Sequence, residues 1–198
     1  MLLLFLPVFA VATALLFYRV YKALSQSPTA VAPQEVARFL TFGGILNKRL
    51  RTLSLLFHMA IVTSLLGHFL MFVEEVPPPL SEIGTAPGAV ATATLALLAA
   101  RRIREKDYEY LYISLLLLLT AATGTAMGLV AEREHVVKAA LFFPQSFTLA
   151  DLLLVAHAAF ATVAAAAVPY TLMSHVAAPM AYLMAKLRKT EEKTRYVK

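Results

Sequence analysis

The sequence predicts an all-α integral membrane protein, a bundle of five transmembrane helices with its N-terminus outside and its C-terminus inside. Three observations carry that expectation. The 198 residues are 60% hydrophobic and only 15% charged, with a mean hydropathy of +0.71, a balance that a soluble domain with a charged surface does not have. Five apolar stretches are long enough to cross a bilayer, at roughly 2–24, 53–73, 86–103, 109–131 and 149–185. The basic residues divide unequally between the connections, as topogenic charge does. One bundle uses up the length, so a single domain is expected over residues 1–190, followed by a polar tail at 191–198.

The elements follow in order. The opening run MLLLFLPVFAVATALLFYRVYKAL lacks a basic leader and an A-x-A cleavage site, so it is expected to be a retained first helix rather than a signal peptide. Residues 25–52 read as a polar loop. The second helix ends in the link EEVPPPLSEIGT at 74–85, whose three prolines cannot continue a helix. The third ends in RRIREKDY at 101–108, a short charged turn to the fourth. Residues 132–148 are mixed and amphipathic. The last stretch is long for one span. It is expected to run past the membrane face, with kinks at Pro169 and Pro179.

Orientation follows from the lysines and arginines. Arg19, Lys22, Arg38, Lys48, Arg49 and Arg51 flank the first connection. Arg101, Arg102, Arg104 and Lys106 occupy the third. Lys186, Arg188, Lys189, Lys193, Arg195 and Lys198 lie in the tail. In a five-helix chain all of these fall on one side, leaving Arg133 and Lys138 on the other. The positive side is the inside, and the expected location is the cytoplasmic membrane, crossed several times. The net charge of +6 is thus topogenic, and no nucleic-acid partner is expected. The chain has no cysteine. That excludes thiolate-bound iron–sulfur clusters, zinc–thiolate sites and covalent haem attachment through C-x-x-C-H.

Ionisable side chains inside spanning helices are costly and point to function. Four of the five histidines lie in apolar runs: His58 and His68 in LLFHMAIVTSLLGHFLMF, His157 and His175 in LLLVAHAAFATVAAAAVPYTLMSHVAAP. His135 lies among charges and reads as a solvated residue. The second and fifth helices run in opposite directions, so depth pairs His68 with His157 near the outer face and His58 with His175 near the inner face. Two facing imidazoles at each depth are what bis-histidine haem iron needs. Ten residues rise about 15 Å and eighteen about 27 Å, so tilt or a bend at Pro169 must absorb the difference. Two b haems are therefore expected, with His68 and His157 on the outer iron and His58 and His175 on the inner. Gly67 and the alanines at 156–167 would leave room for a flat macrocycle. The glycines of Gly124-Thr125-Ala126-Met127-Gly128 read equally as close helix packing.

These segments resemble the gamma subunit of respiratory nitrate reductase, a di-haem cytochrome b. The pattern LFH-x-x-I-x-x-x-x-x-GHF on the second helix carries the likeness. So do the eighteen-residue spacing of His157 and His175 and the run P-[FY]-[ST]-x-x-x-H-x-x-x-P-x-x-Y-L from Pro169 to Leu183. The resemblance spans about residues 1–190 and is strongest on the second and fifth helices. It implies a quinol-oxidising electron-transfer subunit of an oxidoreductase complex, using menaquinol or ubiquinol in anaerobic respiration. Gly67 and His68 would border the quinol pocket. The implied partners are an iron–sulfur subunit and a catalytic molybdenum subunit. Two departures stand out. The link after the second helix lacks the family's lysine, so Glu74, Glu75, His135 and Lys138 are the candidates left near the quinol. Thr171-Leu172-Met173 replaces an arginine ahead of the last histidine.

Two other readings remain. A cytochrome b of a sulfite-reduction or heterodisulfide-reductase-like complex would share the haem scaffold. A proton transporter with a histidine relay would need acidic partners beside the histidines, and Asp151, at a helix start, is almost the only acid near a span.

Overall fold

The computed structural model describes residues 1–26, 33–43, 45, 47–73, 75–77, 85–144, 146–171, 177 and 180–182. Every regular element among them is helical. The order is α1 (Leu2–Gln26), α2 (Pro33–Leu40), α3 (Lys48–His68) running into a 3₁₀ turn (Phe69–Phe72), α4 (Thr85–Glu105), α5 (Tyr108–Val130), α6 (Arg133–Phe142) and α7 (Leu149–Thr171). The polar link at 25–52 thus contains the short helix α2, and the amphipathic link at 132–148 contains α6.

Four segments are long and apolar enough to cross a membrane: Leu2–Ser25, Lys48–His68, Tyr110–Val130 and Leu149–Thr171. Their outward faces carry large apolar side chains, such as Leu3 and Leu129, each 74% exposed. In water that surface would be an aggregation liability; in a bilayer it faces acyl chains. The chain is a membrane protein. Helix α4 is long enough to span but falls outside these four. Alanine dominates it, and Arg101, Arg102, Arg104 and Glu105 occupy its last turns.

The chain forms two compact units. One comprises Met1–Phe9 with Thr52–Ala166, the other Ala10–Arg51 with Ala167–Lys198.

In the first unit α4 and α5 form a helical hairpin. Lys106 takes a left-handed conformation (φ 57°). Its N–H bonds the Ile103 carbonyl at 3.2 Å, and the Asp107 N–H bonds that of Arg102 at 2.9 Å, the pattern that closes a helix with a sharp reversal. The Arg102 guanidinium then crosses to α5. It donates to the Tyr110 carbonyl (2.6 Å) and to the Ser114 hydroxyl, and it lies over the Tyr110 ring. Higher up, the hydroxyls of Thr92 and Thr125 meet at 3.3 Å, an approach that small residues allow.

Helix α6 ties the ends of its neighbours together. Arg133 Nη2 donates to the carbonyls of Leu70 (2.8 Å) and Val73 (2.5 Å) at the close of the 3₁₀ turn. The amino group of Met1 donates to the Ala140 carbonyl at 2.8 Å. Ala139, Ala140 and Leu154 form a small apolar core with Met1, Leu2, Met127 and Val136 against it.

In the second unit Asn47 caps α3, its Oδ1 accepting from the N–H groups of Arg49 (3.0 Å) and Leu50 (3.2 Å). The Arg19 guanidinium lies 4.7 Å from the centre of the Tyr170 ring. Pro169 lies inside α7 and is buried; Pro179 lies outside the described residues.

Candidate functional site

His68 is the last residue of α3, and His157 lies in the third turn of α7. The structure brings these two together. Their ring centres are 5.9 Å apart and their planes differ by 12°. Rings touching face to face would be closer, whereas two imidazoles on one metal, each bonded at about 2 Å, have centres about 6 Å apart.

The second nitrogen of each ring is already committed. His68 Nδ1 is 2.7 Å from the Ser64 carbonyl, and His157 Nδ1 is 2.9 Å from the Thr120 carbonyl on α5. A carbonyl oxygen can only accept, so each Nδ1 carries the proton. In the neutral form of such a ring the lone pair is on Nε2, the atom a metal takes. A backbone acceptor on the far nitrogen also fixes the tautomer and makes the ligand more basic. His58 repeats the arrangement, with Nδ1 2.7 Å from the Ser54 carbonyl. Its expected partner, His175, lies outside the described residues.

In ligand type and ring separation the His68–His157 pair is compatible with the two imidazoles that a bis-histidine haem takes. Among the described residues no three His, Cys, Asp or Glu side chains converge on a point, but axial ligation asks only two side chains of the protein. The space beside Gly67 is open, since a Cβ placed there would meet nothing within 4 Å. One turn back, the buried Ser64 hydroxyl has no partner among the described residues. A buried polar atom left without a partner costs about 1–3 kcal/mol.

Gly124 shapes the other wall. A Cβ on it would lie 2.9 Å from His157 Cε1 and 3.0 Å from Nδ1. The imidazole therefore rests directly on the α5 backbone. The two glycines of the 124–128 segment divide the two roles weighed for it: Gly124 lies under the histidine, while Gly128 packs against Thr85 of α4.

His135 is not simply solvated. Its Nε2 pairs with Asp151 Oδ1 at 2.8 Å, and the Asp151 carboxylate is buried. Oδ2 of Asp151 accepts from the Ser146 hydroxyl (2.5 Å), the Thr148 hydroxyl (2.7 Å) and the Thr148 N–H (3.3 Å). The Thr148 hydroxyl in turn accepts the Asp151 N–H at 3.2 Å. This reciprocal exchange is a capping box at the start of α7, with His135 as a strut from α6. Lys138 bonds Glu134 at 2.6 Å and holds that carboxyl below its ordinary range. Two of the residues expected near a quinol, His135 and Lys138, are thus engaged elsewhere, and Glu74 lies outside the described residues.

Two signals in the sequence mark what the residue reading passed over. Ser54–His58 and Ser64–His68 are both S-L-L-x-H, and in each the backbone carbonyl four residues back accepts from the histidine. Thr148-x-x-Asp151 is the spacing of a capping box. The Thr120–Gly124 contact has no comparable signature, because it joins separate helices.

No protein-family model, curated protein or solved structure matches the chain.

Proposed function

We propose that this chain is the di-haem cytochrome b subunit of a membrane oxidoreductase complex. In this reading it oxidises quinol beside the His68–His157 pair and delivers electrons to an iron–sulfur subunit and a catalytic molybdenum subunit of the nitrate-reductase type. The observation that carries the proposal is the pair itself: two imidazoles from two apolar helices, their centres 5.9 Å apart, each with Nδ1 held by a carbonyl. His68 and His157 would hold one haem b, and His58 with His175 the other. When bound, haem supplies one-electron redox chemistry that no side chain of this chain provides. The likeness of the histidine segments to the gamma subunit of respiratory nitrate reductase supports the same assignment.

The histidines' partners argue against a proton relay. A relay needs groups that both take and give a proton. The Nδ1 atoms of His58, His68 and His157 face backbone carbonyls, which give none.

Five spans with the N-terminus outside complete the proposal, α4 being the fifth. The contact of residue 1 with α6 and the clasp of Arg133 on the end of α3 support a common end for these segments, as that threading requires. Apolar α4 neighbours α5 through small residues and so needs less apolar surface of its own. The His68–His157 pair then lies toward the outside, where Gly67 would border the quinol and released protons reach water.

The decisive measurement is a pyridine haemochrome assay on the purified full-length protein, followed by addition of a menaquinol or ubiquinol analogue. About two acid-extractable haems per chain, reduced by quinol, are expected. A ratio near zero rejects the reading.

The inner face of this arrangement holds sixteen basic and six acidic residues, against two basic and six acidic outside. Such a surface attracts an acidic partner. Cross-linking in intact membranes is expected to capture the iron–sulfur subunit through inner lysines such as Lys48 or Lys189. Capture solely through Lys138 contradicts the orientation.

A further inference from the structure

The imidazole of His157 is bound to α5 more closely than a ligand needs merely to reach a metal. Its Nδ1–H donates to the Thr120 carbonyl at 2.9 Å. The Thr123 hydroxyl has one proton, which lies between this carbonyl at 3.0 Å and the Leu119 carbonyl at 2.7 Å. The carbonyl's electron density is therefore shared between the ring and a neighbouring hydroxyl. Gly124, one residue further on, is where a Cβ would stand 2.9 Å from Cε1 and 3.0 Å from Nδ1. Any side chain there pushes the ring off its acceptor.

We infer that the turn Thr120–Gly124 is a seat that sets the redox potential of the metal bound by His157, with Gly124 admitting the ring and Thr123 moderating its hydrogen bond. Neither residue touches the metal; both are positioning residues. The inference rests on the haem reading above. The physical link is the basicity of the ligand. A stronger acceptor on Nδ1–H gives the ring more imidazolate character, which favours ferric over ferrous iron and lowers the potential. A weaker acceptor raises it.

The two residues therefore have opposite effects. In Gly124→Ala the methyl displaces the ring and stretches the bond to Thr120, so the potential of the His68–His157 haem rises. In Thr123→Val the shape is kept but the competing donor is gone. The Thr120 carbonyl then serves His157 more fully, and the potential falls.

The test is a redox titration of both haems in the purified wild-type protein and the two variants, with the low-spin ferric signal of each haem recorded alongside. Gly124→Ala is expected to shift the ferric-to-ferrous preference of one haem about tenfold, which is about 59 mV upward for one electron. Thr123→Val is expected to shift the same haem downward, by about threefold in that preference. The ferric signal of that haem should move in both variants, and the other haem should stay in place. Shifts of the same sign, equal shifts of both haems, or no shift overturn the inference. If Gly124→Ala sheds the haem altogether, Thr123→Val decides by its sign. A wild-type protein without haem fails the functional reading itself, an outcome distinct from a haem that is present but indifferent to α5.

Discussion

Replacing His68 or His157 with alanine is expected to remove the same haem and leave the other in place. The two ring centres lie 5.9 Å apart, so in the proposed assignment each variant deletes one side of a single site. Substitution of an outer-shell partner typically weakens a metal site about 10–100-fold, and loss of an axial ligand goes further. The pyridine haemochrome value should fall from about two to about one per chain in either variant. The component missing from the redox titration should be the same in both. His58→Ala and His175→Ala should both remove the remaining component. The Nδ1 acceptors add a finer expectation. Because the Ser64 carbonyl serves His68 whatever the side chain, Ser64→Ala should keep the haem that His68→Ala loses. If His68→Ala and His157→Ala delete different components, the pairing is wrong. If neither changes the haem count, the site is elsewhere.

The histidines could be found because polarity is conspicuous in an apolar helix and because antiparallel helices match residues by depth. His68 and His157 needed only those two rules to be put together. The seat under His157 followed neither. Gly124 and Gly128 look alike in sequence, since both are small residues on a membrane helix, and only the packing of α5 against separate partners distinguishes them. The four apolar spans were legible as apolar runs; the stretch that forms α4 is made of small rather than large apolar residues, so its length and its hydropathy point in different directions. The helices α2 and α6 were hidden because short helices outside the spans owe their stability to local caps and tertiary ties rather than to long apolar runs. His135 among charges read as solvent-facing because its partner, Asp151, is sixteen residues away across the turn into α7.

Arg133 is the clearest case of a residue whose place makes sense only with the fold in view, and its removal is expected to loosen one haem selectively. In the proposed orientation Arg133 lies on the outer side, against the charge bias of the rest of the chain. Its guanidinium is occupied by the carbonyls of Leu70 and Val73, groups at the end of the turn that directly follows His68. The Leu70 carbonyl also takes the Val73 N–H at 3.1 Å, whereas a carbonyl past the last turn gains nothing from the helix itself, and inside or beside a bilayer water is a poor substitute. Hydrogen bonds from a charged donor contribute about 1.5–3 kcal/mol. Without them the 3₁₀ turn at Phe69–Phe72 frays, and the helix end that orients His68 frays with it. Converted at about 1.4 kcal/mol per tenfold, Arg133→Gln should release the His68–His157 haem about 10–100-fold faster, measured by transfer to an excess of apomyoglobin. The His58–His175 haem should leave at the wild-type rate. Arg133→Lys offers a single point charge in place of a planar fork, so its release rate should fall between the two. Equal acceleration of both haems would mean that Arg133 supports the whole bundle, and no acceleration would mean that the end of α3 holds His68 without it.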